Sequence, residues 1–190
     1  MNVAVLGWGS LIWDPRELAV ASPFNLSGPS LPIEFARVSG KDKAPRRLTL
    51  VIDDVLGVQC QTFVALSASA DLEAARENLR VREGLEHVNG IGFAVRGGET
   101  SPRAIQRHPK AVKAIEAWLA VSDFDAVIWT ALANNFAERA GVDFSADAAL
   151  RFLEALPEDQ LPRALEYIHN APEPVQTPVR AAASARWPRG

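Results

Sequence analysis

Short apolar runs and alternating positions characterise the first half of the chain. The apolar run at residues 2–6 predicts a buried strand that ends at a pair of glycines. At residues 58–66, Val, Cys, Thr, Val and Leu fall on one face and two Gln on the other, which predicts a half-buried strand. The other predicted strands cover residues 33–38, 46–53, 91–96 and 125–132, and the predicted loops cover residues 14–32, 39–45 and 53–57.

Apolar residues spaced three and four apart predict a helix at residues 70–82. Ser69 is its predicted N-cap, and Gly84 is expected to end it because glycine adopts the left-handed conformation easily. The apolar stripe of this helix consists of Leu72, Ala75 and Leu79. The side of the helix that carries the stripe is therefore expected to face the core.

The next position along that stripe holds Glu83, where an aliphatic residue would be expected. Two interpretations stay open from the pattern alone. In one, the carboxylate turns inward at the end of the helix, where burial and the negative helix C-terminus make it a better proton acceptor. In the other, Glu83 frays outward beside Arg82.

Helices dominate the second half of the chain. One predicted helix begins at Pro109 and has the apolar face Val112, Ile115, Trp118 and Leu119. A second covers residues 145–156, and a final helix has an apolar face formed by Leu161, Leu165 and Ile168. Strands before helices predict the α+β class. No repeat or composition break is visible, so residues 1–172 are expected to form a single domain, and residues 173–190 an irregular C-terminal tail.

Composition and charge narrow the class of protein. The chain has 190 residues and a formal net charge of -3, which argues against a general nucleic-acid binder. Cys60 is the single cysteine, which excludes an internal disulfide, and the three histidines lack metal-ligand spacing. The N-terminus lacks a basic signal region, and no stretch approaches about 18 uninterrupted apolar residues. We therefore expect a cytoplasmic protein without a metal, an organic cofactor or a membrane partner.

The turn after the first strand consists of Gly7, Trp8, Gly9, Ser10 and Leu11, called here the 7–11 loop. Its glycines allow a sharp turn and a close approach to a ligand, and a run of free N–H groups would form an anion-binding concavity. A plain strand-to-loop turn is the alternative. The dinucleotide, P-loop and nucleophile-elbow motifs all fail here, so the Ser10 hydroxyl is expected to bind by hydrogen bonds rather than to act as a nucleophile.

Three segments match the pattern of one enzyme family. Residues 7–13 read Gly-Trp-Gly-Ser-Leu-Ile-Trp, where the family has Gly-Tyr-Gly-Ser-Leu-Ile-Trp after an apolar strand. Residues 47–53 match a segment that ends in Thr-Leu before an acidic turn, and Arg82 with Glu83 matches an Arg-Glu pair at a helix end. Over roughly the first 135 residues the chain thus resembles the γ-glutamylcyclotransferases, and most of all their ChaC-like branch, which acts on glutathione.

The resemblance implies a small mixed β-barrel flanked by helices and a reaction without metal or cofactor. In that reaction the α-amine of a γ-glutamyl group attacks its own γ-carbonyl and releases 5-oxoproline. Such ring closure needs positioning and a general base. The resemblance assigns the base to Glu83 and the binding of the substrate α-carboxylate to the N–H groups of the 7–11 loop.

Departures from the family pattern concern the pocket around the leaving group. Trp8 replaces a tyrosine, residues 84–90 replace a Lys-Gly-Gly-Tyr segment, and Trp129 stands where the branch has tyrosine. These changes predict a γ-glutamyl substrate other than glutathione, with a more apolar leaving-group pocket. Two alternatives are a non-catalytic module that binds a small carboxylate or peptide, and a hydrolase with Ser10 as nucleophile.

Overall fold

The computed structural model describes residues 1–40 and 46–189. Within them, seven strands form two sheets, and seven α-helices and one short 3-10 helix (Val88–Gly90) accompany them. The strands are β1 (Val3–Gly7), β2 (Ser30–Ser39), β3 (Arg47–Ile52), β4 (Val58–Gln61), β5 (Phe63–Leu66), β6 (Ile91–Val95) and β7 (Ala126–Thr130). The helices are α1 (Leu72–Glu83), α2 (Pro102–Arg107), α3 (Pro109–Val121), α4 (Phe136–Ala140), α5 (Ala146–Glu154), α6 (Leu161–His169) and α7 (Pro178–Arg186). The predicted α+β class is confirmed.

The first strand lies inside a four-stranded mixed sheet of order β5-β1-β7-β6. It runs parallel to β7 and antiparallel to β5. Alternate side chains of β1 enter two different hydrophobic clusters. Val3 and Val5 belong to the smaller cluster, which includes residues of α1, and Ala4 and Leu6 belong to the larger one. Because both faces of β1 are covered, the strand is a continuous apolar run rather than an alternating one.

The second sheet is antiparallel and has the order β3-β2-β4. A bulge between Glu34 and Arg37 interrupts the pairing of its central strand β2 with β3. Helix α6 packs against β3 and helix α7 against β2. These contacts bring the C-terminal helices to the same side of the molecule as β3, next to the end of β1.

The predicted small mixed β-barrel does not close, because the strands form two separate sheets. The strand expected over residues 58–66 divides at Thr62 into β4 in the three-stranded sheet and β5 in the four-stranded sheet. The Thr62 side chain is buried and donates to the carbonyl of Pro29 at 2.6 Å, and its N–H group donates to the same carbonyl at 3.3 Å. The backbone at Thr62 thus leaves the ladder, and the chain passes from one sheet to the other.

Helix α1 begins at a cap other than the predicted one. Asp71, not Ser69, is the N-cap, and its carboxylate accepts from the Ala74 N–H at 2.8 Å. The Ser69 hydroxyl instead accepts from the Asp71 N–H at 3.2 Å. Gly84 ends the helix with φ 63°, as predicted, which leaves Glu83 as the last helical residue.

The prediction of an irregular tail after residue 172 is wrong for α7, whose residues Val179 and Ala183 are fully buried. The prolines misled the prediction because Pro178 occupies the first helical turn, where proline is well tolerated. Of the predicted loop at residues 39–45, residues 41–45 lie outside the described residues. Across the described ranges, the model contains no helix with the length and apolar character needed to span a bilayer.

Candidate functional site

A small cavity, called here the inner cavity, lies where β1, β3 and β7 meet the ends of α1 and α6. Its volume is about 40 Å³, enough for a carboxylate or a few water molecules. It is lined by Leu6, Gly7, Trp8, Gly9, Ser10, Leu11, Leu50, Glu83, Thr130 and Tyr167. The structure therefore brings every residue predicted for the site, from Gly7 to Leu11 and Glu83, to one cavity.

The 7–11 loop leaves several backbone donors unused. Two of its carbonyl groups accept hydrogen bonds within the turn. The Gly9 carbonyl accepts from the Ile12 N–H at 3.0 Å, and the Ser10 carbonyl accepts from the Asp14 N–H at 2.8 Å. The N–H groups of residues 8–11, in contrast, donate to no acceptor among the residues that the structure describes. A row of unpaired N–H groups at the wall of a cavity is suited to bind an anion.

Close packing explains the glycines of this loop. A Cβ at Gly7 would lie 2.9 Å from Cδ1 of Ile12, and one at Gly9 would lie 3.3 Å from the Tyr167 hydroxyl. At Gly9 a methyl group would also occupy part of the inner cavity. The absence of both side chains therefore keeps the backbone in close contact with its surroundings and the cavity open.

The last turn of α1 joins the predicted carboxylate to the loop. The Arg82 side chain is only 2% exposed and donates from Nη1 to Oε1 of Glu83 at 2.6 Å. From Nη2 it donates to Oγ of Ser10 at 3.1 Å and to the carbonyl of Asp14. The Glu83 side chain is 19% exposed and lines the inner cavity, so the alternative that it frays outward is wrong.

The guanidinium of Arg82 has a second consequence for Glu83. The hydrogen bond from Nη1 engages Oε1 of Glu83, so this carboxylate meets a ligand already paired with a buried cation. The pair also fixes the direction of the carboxylate. Sequence reasoning treated Arg82 as half of a motif and missed this positioning role.

Tyr167, the only tyrosine of the chain, is a site residue that sequence reasoning missed. It lines the inner cavity from α6, hydrogen-bonds Ser10, and packs edge-on against Trp13 with ring centroids 5.4 Å apart. Burial, and next the charge of Glu83, raise the pKa of its hydroxyl, so the phenol stays protonated and remains a donor at neutral pH. No local pattern marks it, because it lies beside the apolar stripe of α6 rather than on it.

A wider depression, called here the outer groove, adjoins the inner cavity and has a volume of about 460 Å³. The two share lining residues, Glu83 and Tyr167 among them. Five arginines line the outer groove, namely Arg16, Arg37, Arg47, Arg82 and Arg139. Among its described lining residues Glu83 is the only acidic one, so the groove is strongly positive.

The expected apolar leaving-group pocket is therefore wrong. Trp129 is fully buried in the core, where it packs so closely on Gly92 that a Cβ there would lie 2.5 Å from its Cε2 atom. Trp8 does line the inner cavity, and Leu85 is the residue of the 84–90 segment that lines the outer groove. The pocket thus differs from the expectation in its charge as well as its shape.

Among the described residues, the site contains no histidine that could serve Ser10 as a base and no metal centre. Neither the inner cavity nor the outer groove has a histidine among its described lining residues. Within residues 1–40 and 46–189, no group of three or more His, Cys, Asp or Glu side chains could hold a metal ion. The groups available for chemistry are the loop N–H groups, Glu83, Arg82, Ser10 and Tyr167.

Fold and site together define an α+β protein with a small donor-lined cavity that opens into a cationic groove. Comparisons with protein-family models, with curated proteins and with solved structures find no match for this chain. The resemblance to γ-glutamylcyclotransferases therefore rests on the motif residues alone and stays a prediction.

Proposed function

We propose that this protein is a γ-glutamylcyclotransferase-like enzyme that releases 5-oxoproline from a γ-glutamyl peptide or amine. The observation that carries the proposal is that Glu83 and the 7–11 loop line the same small cavity. The two segments are far apart in the sequence. Ser10 of the loop and Arg82 beside Glu83, which are hydrogen-bonded to each other, are 72 positions apart. The free, buried thiol of Cys60 supports action in a reducing compartment such as the cytoplasm.

In the proposed reaction the α-carboxylate end of the γ-glutamyl group occupies the inner cavity, and the rest of the group extends into the adjoining outer groove. The N–H groups of residues 8–11 bind its α-carboxylate, and Glu83 lies beside its ammonium group. The α-nitrogen bonds to the γ-carbonyl carbon while the bond from that carbon to the leaving nitrogen breaks. Two protons lost by the α-nitrogen end on the leaving amine, which departs as an ammonium ion, and Glu83 is the group that accepts and returns them.

Arg82 and Tyr167 support this step without a covalent role. Arg82 fixes Glu83 relative to Ser10 and so holds the base beside the loop. In this proposal the protonated Tyr167 hydroxyl, which lines the inner cavity, donates to the γ-carbonyl oxygen, where negative charge develops during the attack. Holding a flexible γ-glutamyl chain in its cyclising conformer is the main catalytic contribution that such a cavity makes.

The ion pair of Glu83 with Arg82 favours a second candidate, a non-catalytic binding module. If Glu83, engaged by this guanidinium, serves only as a counter-ion for the substrate ammonium, it transfers no proton. The site would then hold a γ-glutamyl compound or another small amino acid derivative unchanged. A hydrolase with Ser10 as nucleophile has no comparable support, since no histidine lines the site among its described residues.

The proposal is tested by incubating the protein with γ-glutamyl-alanine, γ-glutamyl-aspartate and glutathione. We expect 5-oxoproline by mass spectrometry, with glutathione not the preferred substrate. Binding by calorimetry without any product would establish the binding module instead. Release of free glutamate would indicate hydrolysis, and a clear preference for glutathione would contradict the expected substrate.

A further inference from the structure

Three arginines on one side of the outer groove have no acidic partner among the residues that the structure describes. Arg37 on β2, Arg47 on β3 and Arg139 on α4 line the groove, and none lies within 4.0 Å of a carboxylate oxygen of a described residue. The other two lining arginines are paired, Arg82 with Glu83 and Arg16 with Asp14 at 3.3 Å. The unpaired charges are thus confined to the side formed by β2, β3 and α4.

Backbone carbonyl groups hold two of these guanidinium groups in place. Arg37 donates to the carbonyl of Ala133 at 2.6 Å, and Arg139 donates to the carbonyl of Gly40 at 2.9 Å. Such bonds orient a guanidinium but leave its charge uncompensated. Oriented, uncompensated guanidinium groups at the wall of a groove are a suitable arrangement for binding carboxylates, which accept two parallel N–H bonds from each.

Two of the three arginines, Arg37 and Arg139, lie close enough to oppose each other. Burial, and next the charges of Arg107 and Arg139, lower the pKa of Arg37, while Glu138 acts weakly in the opposite direction. Like charges gathered in this way destabilise the free protein, and a bound anion relieves the repulsion. The cluster therefore indicates a ligand of more than one negative charge.

The cluster also lies next to the proposed reaction centre. The Arg47 guanidinium lies over the Tyr167 ring, 5.2 Å from its centroid, and Tyr167 lines both the inner cavity and the outer groove. A substrate whose α-carboxylate fills the inner cavity would extend its leaving group past Tyr167 toward the arginines. That leaving group is an amine, and the amines that most commonly carry carboxylates are amino acids.

We infer that the outer groove binds a leaving group with two carboxylates, an acidic amino acid or a peptide that begins with one, through Arg37, Arg47 and Arg139. This inference rests on the proposed function for the identity of the inner-cavity ligand. It replaces the apolar leaving group expected from the sequence with an anionic one. Glutathione, whose leaving cysteinyl-glycine carries a single carboxylate, would use the groove only in part.

The test compares γ-glutamyl-aspartate, γ-glutamyl-alanine and γ-glutamyl-alaninamide, whose leaving groups carry two, one and no carboxylates. We expect kcat/KM to fall in that order. Arg139→Gln is the sharpest variant, because Arg139 is exposed and lines the outer groove but not the inner cavity. It should lower kcat/KM for γ-glutamyl-aspartate by about 10- to 100-fold, the usual loss for a charged hydrogen bond. The amide substrate should be little affected.

The matched control is Arg163→Gln, which removes an exposed arginine of α6 that does not line the groove. It should leave all three substrates unaffected. Equal kcat/KM for the three substrates would overturn the inference and leave the proposed function standing. If no substrate yields 5-oxoproline, the proposed function fails, and calorimetry then tests the groove directly. Tighter binding of γ-glutamyl-aspartate than of the amide, lost in Arg139→Gln, upholds an anion site, and equal or absent binding overturns it.

Discussion

The inner cavity and the outer groove recognise ligands by different means. The inner cavity is walled by unpaired backbone N–H groups and holds one carboxylate, already paired with Arg82. The outer groove is walled by side chains that carry net positive charge. Backbone donors fix shape and position, whereas charged side chains select by charge. The difference predicts that the inner cavity determines whether a reaction occurs, and the outer groove which leaving group is preferred.

The largest expected effect is that of Glu83→Gln on the inner cavity. Glutamine keeps the shape and can still accept a hydrogen bond from Arg82, but it cannot take the ammonium proton. Because a general base typically contributes about 10²- to 10⁴-fold, kcat should fall by that order for every γ-glutamyl substrate. The variant should still fold, and a thermal unfolding experiment checks this.

The control for this substitution is Glu77→Gln in the same helix. Glu77 also pairs with an arginine, Arg80, at 2.6 Å, but it does not line the cavity. It should leave kcat unaltered. Turnover at the parent rate in Glu83→Gln would exclude Glu83 as the base and would favour the binding module.

A second prediction separates the two regions through Gly9→Ala. The new Cβ would lie 3.3 Å from the Tyr167 hydroxyl and 3.7 Å from Cδ1 of Leu50, inside a cavity of about 40 Å³. Displacement of the γ-glutamyl end by about 1 Å can cost on the order of 100-fold in rate. We expect that loss in kcat/KM for acidic and neutral substrates alike. A loss confined to γ-glutamyl-aspartate would show that the two regions are not independent.

The sequence predicts the inner cavity well because its residues follow local rules. The glycines of the 7–11 loop follow a buried strand directly, and Glu83 falls on a helical stripe of which Ala75 and Leu79 are buried. Only the pairing of these two segments came from the family resemblance. The partner of Glu83, Arg82, was visible in the sequence, but its direction depends on the Asp14 carbonyl, which belongs to another segment.

The outer groove could not be predicted from the sequence. Arg37, Arg47 and Arg139 of this groove come from β2, β3 and α4, and no spacing along the chain relates them. They meet because β2 pairs with β3 in a register that sets Arg37 opposite Thr49 and Ser39 opposite Arg47. The closed barrel failed for a related reason, since the departure of Thr62 from the ladder depends on its contact with Pro29, a distant residue.

A third prediction concerns Tyr167, which borders both regions. Tyr167→Phe keeps the ring that packs on Trp13 and under Arg47 but removes the hydroxyl. Loss of one neutral hydrogen bond to the γ-carbonyl oxygen should lower kcat by about 2- to 10-fold. The loss should be similar from pH 7 to pH 9, measured on γ-glutamyl-alanine, because the raised pKa of Tyr167 keeps the phenol protonated throughout. An effect on KM alone would assign Tyr167 to binding.

The smallest expected effect is that of salt, which distinguishes the regions without any substitution. Raising the ionic strength from about 0.1 M to about 1 M shortens the screening length from about 10 Å to about 3 Å. Attraction between the exposed Arg47 and Arg139 and an acidic leaving group should weaken, whereas the unpaired N–H groups of the inner cavity carry no net charge. We therefore expect KM for γ-glutamyl-aspartate to rise several-fold more than KM for γ-glutamyl-alaninamide, at similar kcat. Arg139→Gln should reduce that difference, and an equal rise for both substrates would mean that the arginines of the outer groove do not select the leaving group.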